Sequence, residues 1–204
     1  MNHIGLVVNY IGVIMGIGSI IFLAILIVAV GFIIVIYNNL VTLKHAVSKA
    51  WSNIDVLLKQ RHDELPKLVE VCKQYMGYEK DTLEKVMEAR TRVSNAQQQG
   101  DMNALGAAEG VLRMGLGNLF AVAEDYPELK ANETFQHLQQ RISGLENSIA
   151  DRREYYNESV NRNYVRIEQF PDILVARLLA FKAFDLLEFD ESELKDVNIK
   201  ALFT

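Results

Sequence analysis

Residues 11–36 read IGVIMGIGSIIFLAILIVAVGFIIVI, and this stretch decides how the rest of the chain is arranged. It carries no charged residue, and its one hydroxyl group belongs to Ser19. A hydrocarbon core about 30 Å thick needs roughly 20 helical residues to span it. The stretch is therefore long enough to cross a bilayer once with some tilt and too short to cross it twice. We predict a single transmembrane helix.

The residues that flank this stretch predict that it is not cleaved off, and they predict its orientation in the membrane. A cleaved signal peptide has a basic start and small residues at the cut, whereas this chain starts MNH and residues 35–39 read VIYNN. Lysine and arginine favour the cytoplasmic side of a membrane helix. Here they follow the stretch, beginning with Lys44 and Lys49, and none precedes it. We therefore predict an N-terminus outside the cytoplasm and a cytoplasmic remainder.

The bulk composition limits the classes of partner. The residues beyond the anchor are enough for one ordinary domain. A net charge of -5 and a pI near 5.4 provide no broad positive field, so we predict no nucleic-acid partner. The single cysteine, Cys72, cannot form an internal disulfide, which fits a reducing compartment. We interpret it as a small buried residue at a helix seam.

The part after the anchor predicts helices and no strands. Apolar residues recur three and four positions apart, as in helices that pack along one seam. No glycine or proline separates the first seam from the membrane stretch, so one helix is expected to continue out of the bilayer, with a break at Asn38-Asn39 as the alternative. A turn is predicted at 61–66, because proline is tolerated only in the first turn of a helix.

Three further helices are predicted after that turn. The second runs from Pro66 to about Gln98, the third follows Gly100 with Asp101 as N-cap, and the fourth follows Asn132 and reaches Gln169. The predicted fold class is all-α, with one transmembrane helix that continues into an antiparallel up-and-down four-helix bundle. The predicted units are an anchor over 1–37, a cytoplasmic bundle over 38–170, and an apolar interfacial helix and tail over 171–204.

Two features lie on or beside the predicted bundle. If each helix folds back on the one before it at the loop that joins them, Arg90, Glu109 and Arg152 lie at the same height along the bundle. This predicts a partly buried structural charge cluster. The alternative is three solvated charges at the seam edge. Residues 172–189 read DILVARLLAFKAFDLLEF, apolar on most sides but too interrupted by charge to span a bilayer. We predict that this piece lies at the membrane interface or against another subunit.

Several blocks of the sequence resemble the LemA family of bacterial membrane proteins. The resemblance covers about residues 37–189, and its most specific blocks read AWSNIDVLLKQRHDELPKLVE from residue 50 and VAEDYPELKANETFQHLQQRI from residue 122. It implies a short outer N-terminus, one pass through the bacterial inner membrane and a cytoplasmic antiparallel helical bundle, with no established enzymatic activity. A candidate partner surface is drawn from the matching blocks and comprises Arg61, His62, Tyr126, Tyr156 and Asn157.

The sequence predicts no catalytic group, metal site or cofactor. Its four histidines are scattered, and none is spaced with a second ligand as in a zinc peptidase. A rival hypothesis, a hydrolase, would depend on Glu79, Glu124 or His62.

The strongest functional hint is Gly12-x-x-x-Gly16, which permits close association of membrane helices; ordinary glycine content in a membrane helix is the alternative. We predict a non-enzymatic, membrane-anchored scaffold that forms homo-oligomers and organises the lipid bilayer or partners in the membrane or envelope. The alternative is an adaptor or regulator of a membrane protease or another envelope complex.

Overall fold

A computed structural model describes residues 3–188, with side chains described from residue 15 onward, and their only regular secondary structure is helix. The elements in chain order are α1 (His3–Tyr75), α2 (Lys80–Gln99), α3 (Met102–Ala123), α4 (Pro127–Lys130), α5 (Glu133–Glu168) and α6 (Asp172–Leu178). The all-helical prediction is confirmed.

α1 changes its surroundings sharply at Ile36. The large apolar side chains from Met15 to Val35 are all exposed, whereas Ile36 is 3% exposed and Leu40 is fully buried. By length and composition, α1 is the one described helix that could cross a membrane. It runs from the apolar stretch into the packed region without a break, so the predicted continuation is confirmed and the alternative break at Asn38-Asn39 is absent.

The packed region is built mainly from two helix pairs, α1 with α5 and α2 with α3. Near the C-terminal end of α1, the hydroxyl of Tyr75 accepts a hydrogen bond from the side-chain amide of Asn132, at 3.1 Å, just before α5 begins. Further toward the membrane stretch, the ring of Trp51 meets that of Tyr156 edge-on, with centroids 6.0 Å apart. Apolar side chains from α1, α2, α3 and α5 form one buried core that includes these contacts.

The predicted turn at 61–66 is wrong. α1 continues through Pro66 to Tyr75, and the chain turns instead over residues 76–79. Proline removes one helical hydrogen bond, the one that the carbonyl of residue 62 would accept. That carbonyl accepts from Arg90 Nε at 2.9 Å instead. α2 accordingly begins at Lys80, fourteen positions later than Pro66.

The other helix ends lie close to the predicted ones because local capping chemistry determines them. Gly100 adopts a left-handed conformation with φ of 69° after α2. The side chain of Asp101 accepts from the backbone N–H of Ala104 at 2.9 Å, and that of Asn132 accepts from Phe135 at 3.0 Å. These contacts satisfy amides in the first turns of α3 and α5.

The chain after α5 folds back onto its own helices. Only residues 172–178 are helical, and α6 packs with α1 through Val175 and Ala176 against Ile36 and Leu40. We call residues 181–188 the strap; it has no regular secondary structure, and its Leu187 is 1% exposed within the main core. The predicted apolar helix after Pro171 is thus shorter than expected, and much of the segment covers its own chain. The tail beyond residue 188 lies outside the described residues.

Candidate functional site

The most unusual interior feature is a buried arginine on α1. The side chain of Arg61 is 1% exposed and donates hydrogen bonds to the carboxylates of Glu109 on α3 and Glu146 on α5, the latter at 2.6 Å. Glu109 is also buried, while Glu146 is 18% exposed. We call these three residues the Arg61 cluster. It joins three helices inside the protein through charge-assisted hydrogen bonds.

Burial and the charges within the Arg61 cluster act against each other on the pKa values of its members. Burial opposes the charge on Arg61, but the carboxylates of Glu109 and Glu146 together raise the pKa of the guanidinium above its ordinary value. Burial raises the pKa of Glu109 above its ordinary value, although the charges of Arg61 and Arg153 act in the opposite direction. A buried ion pair contributes little net stability, but removing one partner leaves an uncompensated charge.

A second polar contact lies one residue further along α1. Arg90 on α2 donates both to the backbone carbonyl of His62 and to its ring Nε2, at 2.9 and 2.6 Å. Because an arginine can only donate, Nε2 acts as the acceptor and the imidazole is neutral. Burial, followed by the neighbouring charge of Arg90, lowers the pKa of His62 below its ordinary value.

The predicted charge cluster therefore has a different membership. Glu109 is buried and paired as an interior acid, but among the described ion pairs its partner is Arg61 rather than Arg90 or Arg152. Arg90 contacts His62, and Arg152 is exposed. The misplaced turn explains why Arg61 is absent from the predicted cluster, because a turn at 61–66 places Arg61 at the end of α1 instead of beside Glu109. Glu146 is not among the residues predicted for the cluster. The signal in the sequence is an acidic residue next to the apolar seam position Leu145.

The candidate partner surface is dispersed. Arg61 and Tyr156 are interior residues, and His62 is half-buried against Arg90. Tyr126 lies after α3, at the end of the helices away from the apolar stretch. Burial and the charge of Glu79 raise the pKa of its phenol. Asn157 is half-buried under the strap. The structure does not gather these five side chains into one exposed patch.

The strap forms hydrogen bonds with two residues of the candidate partner surface, Tyr156 and Asn157. The hydroxyl of Tyr156 donates to the backbone carbonyl of Asp185 at 2.9 Å. The side chain of Asn157 donates to the carbonyl of Leu187 at 3.0 Å and accepts from its N–H at 2.9 Å. This two-way amide contact fixes the backbone of an irregular segment in the way a neighbouring strand would.

A glycine on α3 makes room for the end of the strap. A Cβ atom placed on Gly106 would lie 1.8 Å from the carbonyl oxygen of Glu188, closer than any side chain tolerates. Gly106 is therefore required by the close approach of two backbones. By contrast, a Cβ at Gly117 on the same helix would meet nothing within 4 Å.

The residues on which a hydrolase would depend do not converge. Glu79 precedes α2 and Glu124 pairs with Lys130, both near the C-terminal end of α1. His62 lies thirteen residues before Tyr75, about 20 Å along the helix axis from that end. Cys72 is fully buried, and burial raises the pKa of its thiol to about 12, so it is not a reactive thiolate. No cluster of three metal-ligating side chains occurs among the residues the structure describes.

Comparisons with known proteins agree with the sequence blocks. The model of the LemA family matches residues 50–201. Magnetosome proteins MamQ 1 and MamQ 2 of Paramagnetospirillum magneticum are each 26% identical to this chain over 169 residues, and MamQ of Magnetospirillum gryphiswaldense is 25% identical. Each alignment covers 72% of this chain and 62% of the relative, so the chain spans less than two thirds of these relatives.

Proposed function

We propose, from the premise that this chain belongs to the LemA family, that it is a non-enzymatic scaffold anchored in the bacterial inner membrane by a single pass of α1. One observation carries the proposal. The apolar side chains of Met15–Val35 have no cover from the described chain, yet the same helix enters a packed core at Ile36. A bilayer is the environment that covers such a surface on every side.

The arrangement of the helices after residue 36 supports a rigid projecting body. We propose that α1, α2, α3 and α5 form an antiparallel up-and-down bundle. The Tyr75 end of α1 meets the start of α5, while Trp51 meets a residue far along α5. With the N-terminus outside, this bundle stands in the cytoplasm, as the lysines that follow the apolar stretch favour.

Self-association through the membrane helix is the second part of the proposal. Gly12 and Gly16 lie four residues apart on α1, and a Cβ at Gly16 would meet nothing within 4 Å in the described chain, so Gly16 leaves room for a second helix. The relatives are named as magnetosome proteins, which supports a role at membranes. The partners are other copies of the chain, the lipid bilayer and proteins of the membrane or envelope.

Crosslinking in native membranes tests the proposal. We expect the full chain to be captured as a homo-oligomer, and expect Gly12→Leu with Gly16→Leu to reduce that capture by at least about tenfold, since leucines prevent close helix approach. Gly18→Leu is the matched control, because Gly18 lies in the same stretch outside the motif. Capture only as a monomer, or equal capture of both variants, would contradict self-association.

A further inference from the structure

A cleft of about 630 Å³ opens between α1, α5 and the residues that follow α6, close to the end of the apolar stretch. Its walls include Tyr37, Lys44, His45, Asn163 and residues 179–184. We propose that this cleft binds the headgroup of an acidic phospholipid that carries a hydroxyl group. The location of the cleft at a membrane surface depends on the proposed function, in which α1 crosses the bilayer.

The side chain of Asn163 points to a ligand that donates a hydrogen bond. Asn163 is 1% exposed, and its Oδ1 has no hydrogen-bond partner among the described residues. Leaving a buried amide oxygen without a donor costs free energy, and such groups in native proteins are normally satisfied. Because Asn163 lines the cleft, a hydroxyl group of a bound molecule can supply the donor.

The charges around the cleft point to an anion. Lys44 and Lys182 line it together with His45, and none of its lining residues is acidic. Lysines near a membrane surface attract anionic lipid headgroups. A phosphodiester with no compensating ammonium group fits this lining, whereas the ammonium of an ethanolamine headgroup would face the two lysines.

The position of the cleft selects a lipid over a soluble anion. Tyr37 follows the apolar stretch directly, and its ring meets that of Phe181 edge-on with centroids 6.1 Å apart. Such aromatic side chains are typical of the membrane interface. Lys44 lies seven residues further, about 10 Å along the axis, which is within reach of a headgroup layer roughly 5 to 8 Å thick for a long flexible side chain. Apolar groups of Val41, Leu179 and Phe184 complete the lining.

The chemistry of the headgroup follows from these three observations. It combines one phosphodiester charge near the lysines with at least one hydroxyl that donates to Asn163. Phosphatidylglycerol has both groups, and its deacylated form, glycerophosphoglycerol, presents the same ones in solution without acyl chains. The apolar lining and the interfacial position favour the lipid.

Native mass spectrometry of the full-length protein in non-ionic detergent tests the proposal, with phosphatidylglycerol or phosphatidylethanolamine added at equal amounts. We expect phosphatidylglycerol to be retained at least about tenfold better. Asn163→Leu removes the acceptor while filling the same space, and Lys44→Gln with Lys182→Gln removes the charge; each is expected to reduce the preference. Lys49→Gln is the matched control, because Lys49 is exposed on the same helix outside the cleft.

Three results would overturn the proposal: equal retention of the two lipids, an unchanged preference in Asn163→Leu, or displacement of the lipid by an equal concentration of glycerophosphoglycerol. The last result would assign the cleft to a soluble anion. Carbonate extraction of membranes separates this failure from failure of the anchor. Wild type and variants are all expected to remain in the membrane pellet, whereas release of the wild type would overturn the anchor and with it the headgroup site.

Discussion

Arg90 Nε donates to the backbone carbonyl of His62 at 2.9 Å, and that carbonyl is the one that Pro66 leaves without its helical donor. The guanidinium of a neighbouring helix thus replaces a backbone N–H. This contact allows α1 to continue through a proline that would otherwise be expected to end it. It also links α1 to α2 at the height of the Arg61 cluster.

Replacing Arg90 is expected to destabilise the protein because of Pro66. Arg90→Met keeps the bulk of the side chain but leaves the His62 carbonyl unsatisfied, which should cost about 1 to 3 kcal/mol in the free energy of unfolding. In a Pro66→Ala background the alanine N–H satisfies that carbonyl, so the cost of Arg90→Met should fall by about 1 kcal/mol or more. Thermal unfolding of the full chain in detergent measures all four proteins. Equal costs in both backgrounds would show that Arg90 does not substitute for the missing N–H.

The contact between His62 and Arg90 predicts a pH dependence. The pKa of His62 is lowered in the folded protein, so the unfolded chain binds more protons around pH 6.5, the ordinary value. Stability should therefore fall as the pH is lowered through about 6.5, until the folded-state pKa is reached. The pKa values of Asp55 and Glu64 are lowered as well. The stability that these two carboxylates contribute is lost only as the pH falls below their ordinary pKa values of 3.8 and 4.5. The two effects occupy separate windows.

The variant His62→Gln isolates the histidine contribution. Its amide oxygen can still accept from Arg90, but it does not titrate. We expect the melting temperature of the wild type to drop between pH 7.5 and 5.5 and that of His62→Gln to stay nearly flat. His137→Gln is the control, because this exposed histidine should leave the wild-type slope unchanged. A slope that persists in His62→Gln would assign the pH dependence to other groups.

Removing Glu109 alone should lower the stability of the protein far more than removing both Arg61 and Glu109. Glu109→Leu leaves the buried guanidinium with only the carboxylate of Glu146, and the expected loss is about 3 to 5 kcal/mol in the free energy of unfolding. The double variant Arg61→Met with Glu109→Leu removes the buried charge and should recover most of that loss. Equilibrium unfolding of the full chain measures both. A double variant no more stable than Glu109→Leu would contradict this prediction, because the guanidinium left by Glu109→Leu would then not be the source of the loss.

Gly106 should control the attachment of the strap. Gly106→Ala places a Cβ against the Glu188 carbonyl, so the strap must detach from α3. We expect trypsin to cleave after Lys182 at least about tenfold faster in this variant, since proteolysis follows the population of the open segment. Gly117→Ala is the control; it meets open space and should leave cleavage unchanged while stabilising α3 by up to about 1 kcal/mol. Similar cleavage rates for the two variants would refute the close approach.

Local chemistry made most helix boundaries predictable, and non-local contacts explain the main error. Gly100, Asp101 and Asn132 act through their own neighbours, so their roles are visible in the sequence. Whether α1 continues through Pro66 depends on Arg90, which binds the backbone carbonyl of His62 from twenty-eight positions further along the chain. Sequence spacing alone does not reveal that contact.

The same error explains why the buried charges were assigned to the wrong arginines. The apolar seam continues at helical spacing through Pro66 and past Gly77, so it does not mark where the chain turns. Moving the turn from 61–66 to 76–79 brings Arg61 from the predicted end of α1 to the height of Glu109, with which it pairs. The return of the strap was equally hidden, because it depends on Asn157 and Gly106 accepting a segment from the far end of the chain.

In the proposed anchor, one helix crosses the membrane and leaves it near Ile36 without a break. Single cysteines introduced from residue 15 to residue 50 in a Cys72→Ser background can be labelled in intact membranes with a water-soluble maleimide. We expect residues 15–35 to be protected and exposed positions such as Thr42 and Lys49 to label readily, with the change at residues 36–39. Labelling at Phe22 and Val28 as fast as at Lys49 would contradict the membrane anchor and the scaffold proposed from it.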